Sequence, residues 1–231
     1  MDEFYPILAK CPLFKDIAED EYKLLLSCIN AFTKVYYNNE YVILTGDVVN
    51  YVGIVLKGSL EISKENPAGT RHILDFLGPS NIFSEVIVCT SERTSPVTVK
   101  AKEESKILFV PYERIIKTCG SSCSFHFKLI QNMMQILSDK NINLNKKIEL
   151  LLIKGMRAKL AAYLLNESKK NRSLTFQIVP NRNELAEYLN VSRTSMCREL
   201  ARMKDLGMLD YYQNSFKITS LDMLKESLAE E

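Results

Sequence analysis

Arg193 and Arg198 occupy positions that Met196, Leu200 and Met203 leave free when the segment after Ser192 is read at helical spacing. A guanidinium can bond guanine O6 and N7 as a fork, worth ~1–3 kcal/mol of discrimination per contact. Thr194 and Cys197 share this polar side, and Ser192 is placed to cap the helix by accepting from the amide near Ser195. The helix is expected to stop near Gly207, a suitable residue for a left-handed C′ position. Upstream, Asn181-x-x-Glu184 forms a reciprocal cap for a shorter helix carrying Leu185, Ala186 and Leu189 inward. Asn190-Val191 supplies the tight turn between the two, which predicts a helix-turn-helix. Asn181, Arg182 and Asn183, beside the first helix's free amides, have the chemistry to hold phosphate. Beyond Gly207, Met208–Tyr212 and Phe216–Thr219 flank Gln213-Asn214-Ser215, which reads as a β-hairpin wing.

These residues sit in a basic stretch. Positions 154–217 carry twelve Lys/Arg against six Asp/Glu, although the whole chain is only +2, so the excess suits a polyanionic partner. Ahead of it, Phe127, Ile130, Met134, Leu137, Asn141, Leu144, Ile148 and Leu151 recur at heptad a and d positions. Seven of the eight are apolar, which predicts a coiled-coil seam and hence a homodimer; Asn141 at an a position would set its register. One long amphipathic helix packed on its own domain is the alternative. From about Phe32 to Pro111, short alternating runs separated by turn residues predict an antiparallel barrel or sandwich. Its turns include Asn66-Pro67-Ala68-Gly69. A short helix over 16–30 is expected to bury Ile17, Leu24, Leu25 and Ile29. The expected organisation is therefore 1–118 sensing domain, 119–153 dimerisation helix and hinge, and 154–231 DNA-binding domain.

Other classes of function find little support. No nucleophile–base constellation or Walker-type glycine loop is visible, and two histidines leave little general-base capacity, so no enzyme is expected. The six cysteines are scattered, and Cys119 and Cys123 form a single pair without a second, so zinc is not expected. The acidic N-terminus, broken by Pro6, does not read as a signal peptide, and no apolar run approaches the ~20 residues of a membrane span. A cytoplasmic protein without a membrane partner is the expectation.

The chain resembles the family of the cyclic-AMP receptor protein and the fumarate-nitrate reduction regulator. In the first half the likeness rests on Gly46-Asp47, on Gly58 in Val55-Leu56-Lys57-Gly58-Ser59-Leu60, and on Gly69 with Phe76-Leu77-Gly78, each glycine serving a turn. In the second it rests on Asn183-Glu184-Leu185-Ala186 and on Val191-Ser192-Arg193 through Arg198-Glu199-Leu200. The resemblance implies an α+β fold: a cyclic-nucleotide-binding-type β-roll (a double-stranded antiparallel barrel), a long dimerisation helix and a C-terminal winged helix-turn-helix. It implies a homodimeric regulator, activator or repressor, on a near-palindromic operator of double-stranded DNA. RNA polymerase would be a partner if the protein activates, and a hinge would lie near Leu152 to Met156. Arg193 and Arg198 match the family's base-reading positions, whereas Thr194 stands where many members carry Glu.

For the effector, the resemblance points to Ser84-Glu85 and Arg93-Thr94-Ser95, which match the ribose-binding Gly-Glu and the phosphate-binding Arg-Ser/Thr-Ala of cyclic-nucleotide binders. Two glycines of that cassette appear as Ser80 and Ser84, the loop between Glu85 and Arg93 is shortened, and Ile142-Asn143 replaces a Thr-Ser pair on the long helix. Cyclic AMP is therefore disfavoured. An iron–sulfur cluster is disfavoured further, because only Cys11 and Cys28 lie N-terminally. No cofactor follows from the sequence, and the effector is an unidentified small molecule or a redox signal, with a Cys197 thiol switch as one form of the latter. The alternative function is a cyclic-nucleotide-binding module acting on a protein partner.

Overall fold

The computed structural model describes residues 1–65, 71–117 and 124–228. The expected turn at Asn66–Gly69, with Cys119, Gly120 and Cys123, lies outside them. The chain forms two compact units, Met1–Lys140 and Asn141–Glu231.

The first unit opens with short helices α1 (Tyr5–Leu8) and α2 (Tyr22–Cys28). Eight strands follow: β1 (Phe32–Tyr36), β2 (Tyr41–Ile43), β3 (Tyr51–Lys57), β4 (Leu60–Glu65), β5 (Arg71–Leu77), β6 (Ile82–Phe83), β7 (Thr98–Ala101) and β8 (Ser105–Pro111). They pair into two antiparallel sheets, ordered β1-β8-β3-β6 and β2-β7-β4-β5. The sheets do not close on each other, so the roll is a pair of open layers rather than a hydrogen-bonded barrel. Val52 to Leu56 is continuously buried, as expected of a strand covered on both faces. β5, an edge strand, is the opposite: Ile73, Leu74 and Phe76 are exposed and only Leu77 is buried. Gly58 adopts φ +85°, and a Cβ there would lie 2.5 Å from the Glu104 carbonyl oxygen, so the β3–β4 turn requires glycine. Gly46 is also left-handed, whereas Gly78 is not and meets no such constraint.

The helix expected over 16–30 is shorter. Asp16 is left-handed and the first turn is 3₁₀, so regular helix begins only at Tyr22. The shift rotates Leu24 out to solvent, while Tyr22 and Leu26 join Leu25 and Ile29 in the core.

After α3 (Tyr112–Ile116) comes the long helix α4 (Ser124–Leu152). Phe125, Leu129, Met133 and Ile136 join the core of the first unit. On the same face, buried Asn132 donates from Nδ2 to the carbonyls of Leu13 and Lys15 at 2.9 and 2.8 Å. Replacing Asn132 by leucine strips both carbonyls of a donor, so thermal unfolding should show a loss of roughly 1–3 kcal/mol. An unchanged melting curve would contradict this anchoring.

The second unit contains α5 (Met156–Asn171), β9 (Thr175–Gln177), α6 (Arg182–Tyr188), α7 (Arg193–Asp205), β10 (Leu209–Tyr212), β11 (Ser215–Ile218) and α8 (Leu221–Glu226). The hairpin β10–β11 takes β9 as a third antiparallel strand. Leu160, Leu164, Leu185, Leu189, Met196 and Leu200 form part of its separate core. The residues between α4 and α5 include Gly155, which caps α5. No helix among the described residues is long and apolar enough to cross a membrane.

Candidate nucleic-acid interface and effector cavity

The helix-turn-helix is assembled by local hydrogen bonds. Asn181 Oδ1 accepts from the amides of Asn183 and Glu184 at 2.9 and 3.1 Å, while Glu184 Oε2 accepts from the Asn181 amide at 2.8 Å. Asn190, at φ +52°, turns the chain between α6 and α7. Ser192 Oγ then accepts from the Ser195 amide at 3.1 Å, capping α7. Met196, Leu200 and Met203 are fully buried along one side. Arg193, Thr194, Ser195 and Arg198 are exposed and Cys197 is half-buried. The buried side of α7 also carries Glu199, whose carboxylate pairs with Arg157 at 2.7 Å and Arg202 at 3.4 Å, fixing α7 against the start of α5. Buried Lys159 adds a second tie, donating to the carbonyls of Leu151 in α4 and Leu189 after α6 at 3.3 and 3.4 Å.

A polar cleft of about 460 Å³ opens beside α7, lined by Asn181, Arg182, Asn183, Arg193, Gln213 and Asn214 among others. It joins the start of α6 to the tip of the wing. Arg182 does more than line it. The guanidinium lies 5.0 Å from the Tyr211 ring centre and 4.8 Å from that of Phe216, and Nη2 donates to the Gln213 carbonyl at 2.9 Å. It therefore holds the wing turn, while Asn183 stays exposed. Asn181 spends its side-chain oxygen on the cap, which leaves its amide nitrogen for other contacts.

Of the residues expected at the effector site, the structure brings Ser84 and Glu85 to one cavity and sends Arg93 elsewhere. Ser84 is left-handed at φ +61° and Ser80 at φ +71°, so the glycine-like backbone persists without glycine. The Ser84 hydroxyl lies 2.7 Å from the carbonyl oxygens of Tyr51 and Phe83 and turns inward as a donor. Arg93 donates to Glu113 at 3.1 Å and Asn50 at 3.3 Å, and lies over the Tyr112 ring. Lys117 and Arg93 hold the Glu113 carboxyl below its ordinary value. Thr94 Oγ1 bonds the Glu92 carbonyl at 3.3 Å. Neither Arg93 nor Thr94 lines the cavity, and Asn143 belongs to the second unit. A cyclic phosphate therefore lacks its expected cation here, and the residues present do not fit a cyclic nucleotide.

The cavity itself measures about 160 Å³ and is walled by Ile43, Ile62, Leu77, Phe83, Val97 and Val99. Glu85 is 2 % exposed. Its Oε1 accepts from Lys140 Nζ, while Oε2 has no partner among the described residues. Such an orphaned oxygen costs about 1–3 kcal/mol, and more when charged. Lys140 and Asp75 also border the space. Sequence reasoning missed both. Lys140 precedes Asn141 off the apolar seam and reads there as a solvated helix charge.

Along α4, Phe127 (70 %), Met134 (65 %), Leu144 (57 %) and Ile148 (46 %) are exposed, Ile130, Leu137 and Leu151 half-buried, and Asn141 exposed with its Oδ1 accepting from Asn145. Among the cysteines, burial pushes the Cys11 thiol up to about 11, whereas Cys89 is exposed. Iodoacetamide at about pH 7.5 should modify Cys89 and spare Cys11 in the folded protein, because the thiolate is the reactive form. Peptide mass mapping that finds Cys11 alkylated first would contradict this.

Two domain families match in the order that the architecture requires. Residues 33–122 match the cyclic nucleotide-binding domain. Residues 158–227 match the Crp-like helix-turn-helix domain. The chain belongs to the CRP/FNR family of transcription regulators. As a CRP/FNR protein it is a CRP-like DNA-binding regulator with a cyclic-nucleotide-binding-type domain. Among curated CRP/FNR relatives, the cyclic AMP receptor protein of Thermus thermophilus is 23 % identical over 217 residues, covering 93 % of this chain and 95 % of that protein. The transcriptional activator protein anr of Pseudomonas aeruginosa is 24 % identical over 176 residues, 74 % and 69 % of the two chains. Among solved structures, a CooA variant from Carboxydothermus hydrogenoformans superposes with a TM-score of 0.59 at 20 % identity, over 92 % of this chain and 95 % of that one. These likenesses in structure establish the CRP/FNR fold.

Proposed function

We propose that this CRP/FNR protein is a homodimeric, sequence-specific regulator that reads a near-palindromic operator with two copies of α7 and answers to a small effector held in the roll. The observation that carries this reading is the state of α7. Its apolar side is buried, its N-terminus is capped, and Arg193 and Arg198 are exposed without an ion pair or hydrogen bond inside the described protein. Unengaged guanidinium groups on a fixed helix suit base edges in the major groove. The exposed apolar stripe on α4 supports pairing through Phe127, Ile130, Met134, Leu137, Asn141, Leu144, Ile148 and Leu151, since such a stripe is favourable to bury against a copy of itself.

On this reading 1–118 is the sensor, 119–153 the dimerisation helix and hinge, and 154–231 the DNA-binding domain. Arg193, Thr194, Cys197 and Arg198 face base edges, while Ser192, Ser195, Asn181 and Asn183 lie near phosphates. Arg182 aims the wing. The protein works in the cytoplasm without catalysis, and contacts RNA polymerase if it activates.

Selecting bound duplexes from a random pool at low salt tests the proposal. The expected product is an inverted repeat with half-sites ~34 Å apart, whose affinity falls steeply as salt rises. Equal affinity for every duplex, or none for any, would overturn it.

A further inference from the structure

The roll cavity has the wrong chemistry for a nucleotide and a definite chemistry for something else. It is small: a dry apolar cavity of roughly 150 Å³ takes a molecule about the size of benzene, and this one measures about 160 Å³. Its wall is aliphatic and aromatic, with Leu77, Phe83 and Val99 themselves buried. Glu85 lines the space and is almost wholly enclosed, and its Oε2 is a buried acceptor that no donor of the described protein reaches. The charged side chains lining the space are Glu85, Asp75 and Lys140, so carboxylates outnumber cations, and Lys140 is already bound to Glu85 Oε1. Arg93, the one arginine expected to meet an anion here, is engaged with Glu113 outside the cavity.

We infer that this cavity binds a compact apolar molecule carrying a single ammonium group, rather than a cyclic nucleotide or other anion. The ammonium donates to Glu85 Oε2, which satisfies the orphaned acceptor and balances the excess negative charge. The hydrocarbon part, a short aromatic or branched chain, fills the space lined by Ile62, Phe83 and Val99. An enclosed ammonium is tolerated only where a carboxylate pairs with it, and Glu85 is that carboxylate. Lys140 contributes the link to α4. A cation at Oε2 competes for the Glu85 charge that now holds Lys140, so occupancy loosens the contact between the roll and this helix. The inference rests on reading the roll as the sensor, and its test is separable from that of DNA binding.

Isothermal titration of the full-length protein with four probes provides the test: benzylamine, benzyl alcohol, benzoate and cyclic AMP. The expected result is saturable binding of benzylamine at one site per chain. Benzyl alcohol, of the same size without the charge, should bind at least tenfold more weakly, and benzoate and cyclic AMP not measurably. Glu85→Gln should lower benzylamine affinity at least tenfold while leaving the weak binding of benzyl alcohol unchanged. Equal binding of amine and alcohol, tighter binding of cyclic AMP than benzylamine, or no binding of benzylamine would each overturn the inference. The probe comparison on the unmodified chain stands even if Glu85→Gln folds poorly. Selective duplex binding without benzylamine binding removes this inference alone; benzylamine binding without duplex selectivity removes the regulator reading alone.

Discussion

On the proposed reading of DNA by α7, Arg193→Ala should lower affinity for the selected operator by roughly 1–3 kcal/mol in each half-site, and Arg198→Ala should do the same. With two half-sites engaged, the loss is about thirtyfold at the lower end and roughly twenty-thousandfold at the upper. The substitution leaves the fold alone, because both side chains are exposed and the core side of α7 is made by Met196, Leu200 and Met203. It removes discrimination at the base pair that the guanidinium reads, so a mismatch there ceases to matter. Arg193→Lys separates the two roles of the residue. Lysine keeps the charge and loses the fork, so binding to unrelated duplex at low salt persists while base preference falls. Operator affinity that survives both alanine substitutions would show that α7 does not read the DNA.

On the proposed pairing through α4, Leu144→Asp should convert the dimer to a monomer. Leu144 is 57 % exposed in the protomer, so a carboxylate there is solvated in one chain and causes little harm. At a paired seam the same change buries two like charges against each other. An uncompensated charge in an interface costs several kcal/mol, enough to abolish association at micromolar concentration. Asn141→Lys acts in the same direction through the neighbouring a position. Sedimentation velocity distinguishes the outcomes, with circular dichroism verifying an intact fold. Operator affinity should fall along with the dimer, because each half-site alone supplies only part of the contact energy. A dimer undisturbed by Leu144→Asp would reject the seam, and pairing would then have to use another surface.

The helix-turn-helix was legible from the chain because it is written in short-range hydrogen bonds. Asn181 with Glu184, Ser192 with Ser195, and left-handed Asn190 and Gly207 each solve a backbone problem within a few residues. The outward position of Arg193 and Arg198 follows from the period of Met196, Leu200 and Met203 in the same way. The α4 stripe is equally local: heptad spacing alone places Phe127, Met134, Leu144 and Ile148 together. Leu24 marks where this logic failed, because the apolar period was sound but the left-handed Asp16 and the 3₁₀ turn shifted where the helix began.

The chemistry of the roll was decided only by tertiary structure. Whether Glu85 meets Lys140, whether Arg93 faces a ligand or Glu113, and whether Asn132 finds the carbonyls of Leu13 and Lys15 all depend on residues distant in the chain. Two further cases show the same dependence on distant residues. Ser80 and Ser84 stand where glycines are expected and both keep the left-handed backbone, while Arg93 is drawn to Glu113 and does not line the cavity. Arg182 looked like a phosphate ligand because it begins a helix, but Tyr211, Phe216 and the Gln213 carbonyl engage it from a hairpin about thirty residues onward. Helical period and end caps are fixed by neighbours along the chain. The partner of a buried charge is set by how the sheets and helices pack, which no local pattern encodes.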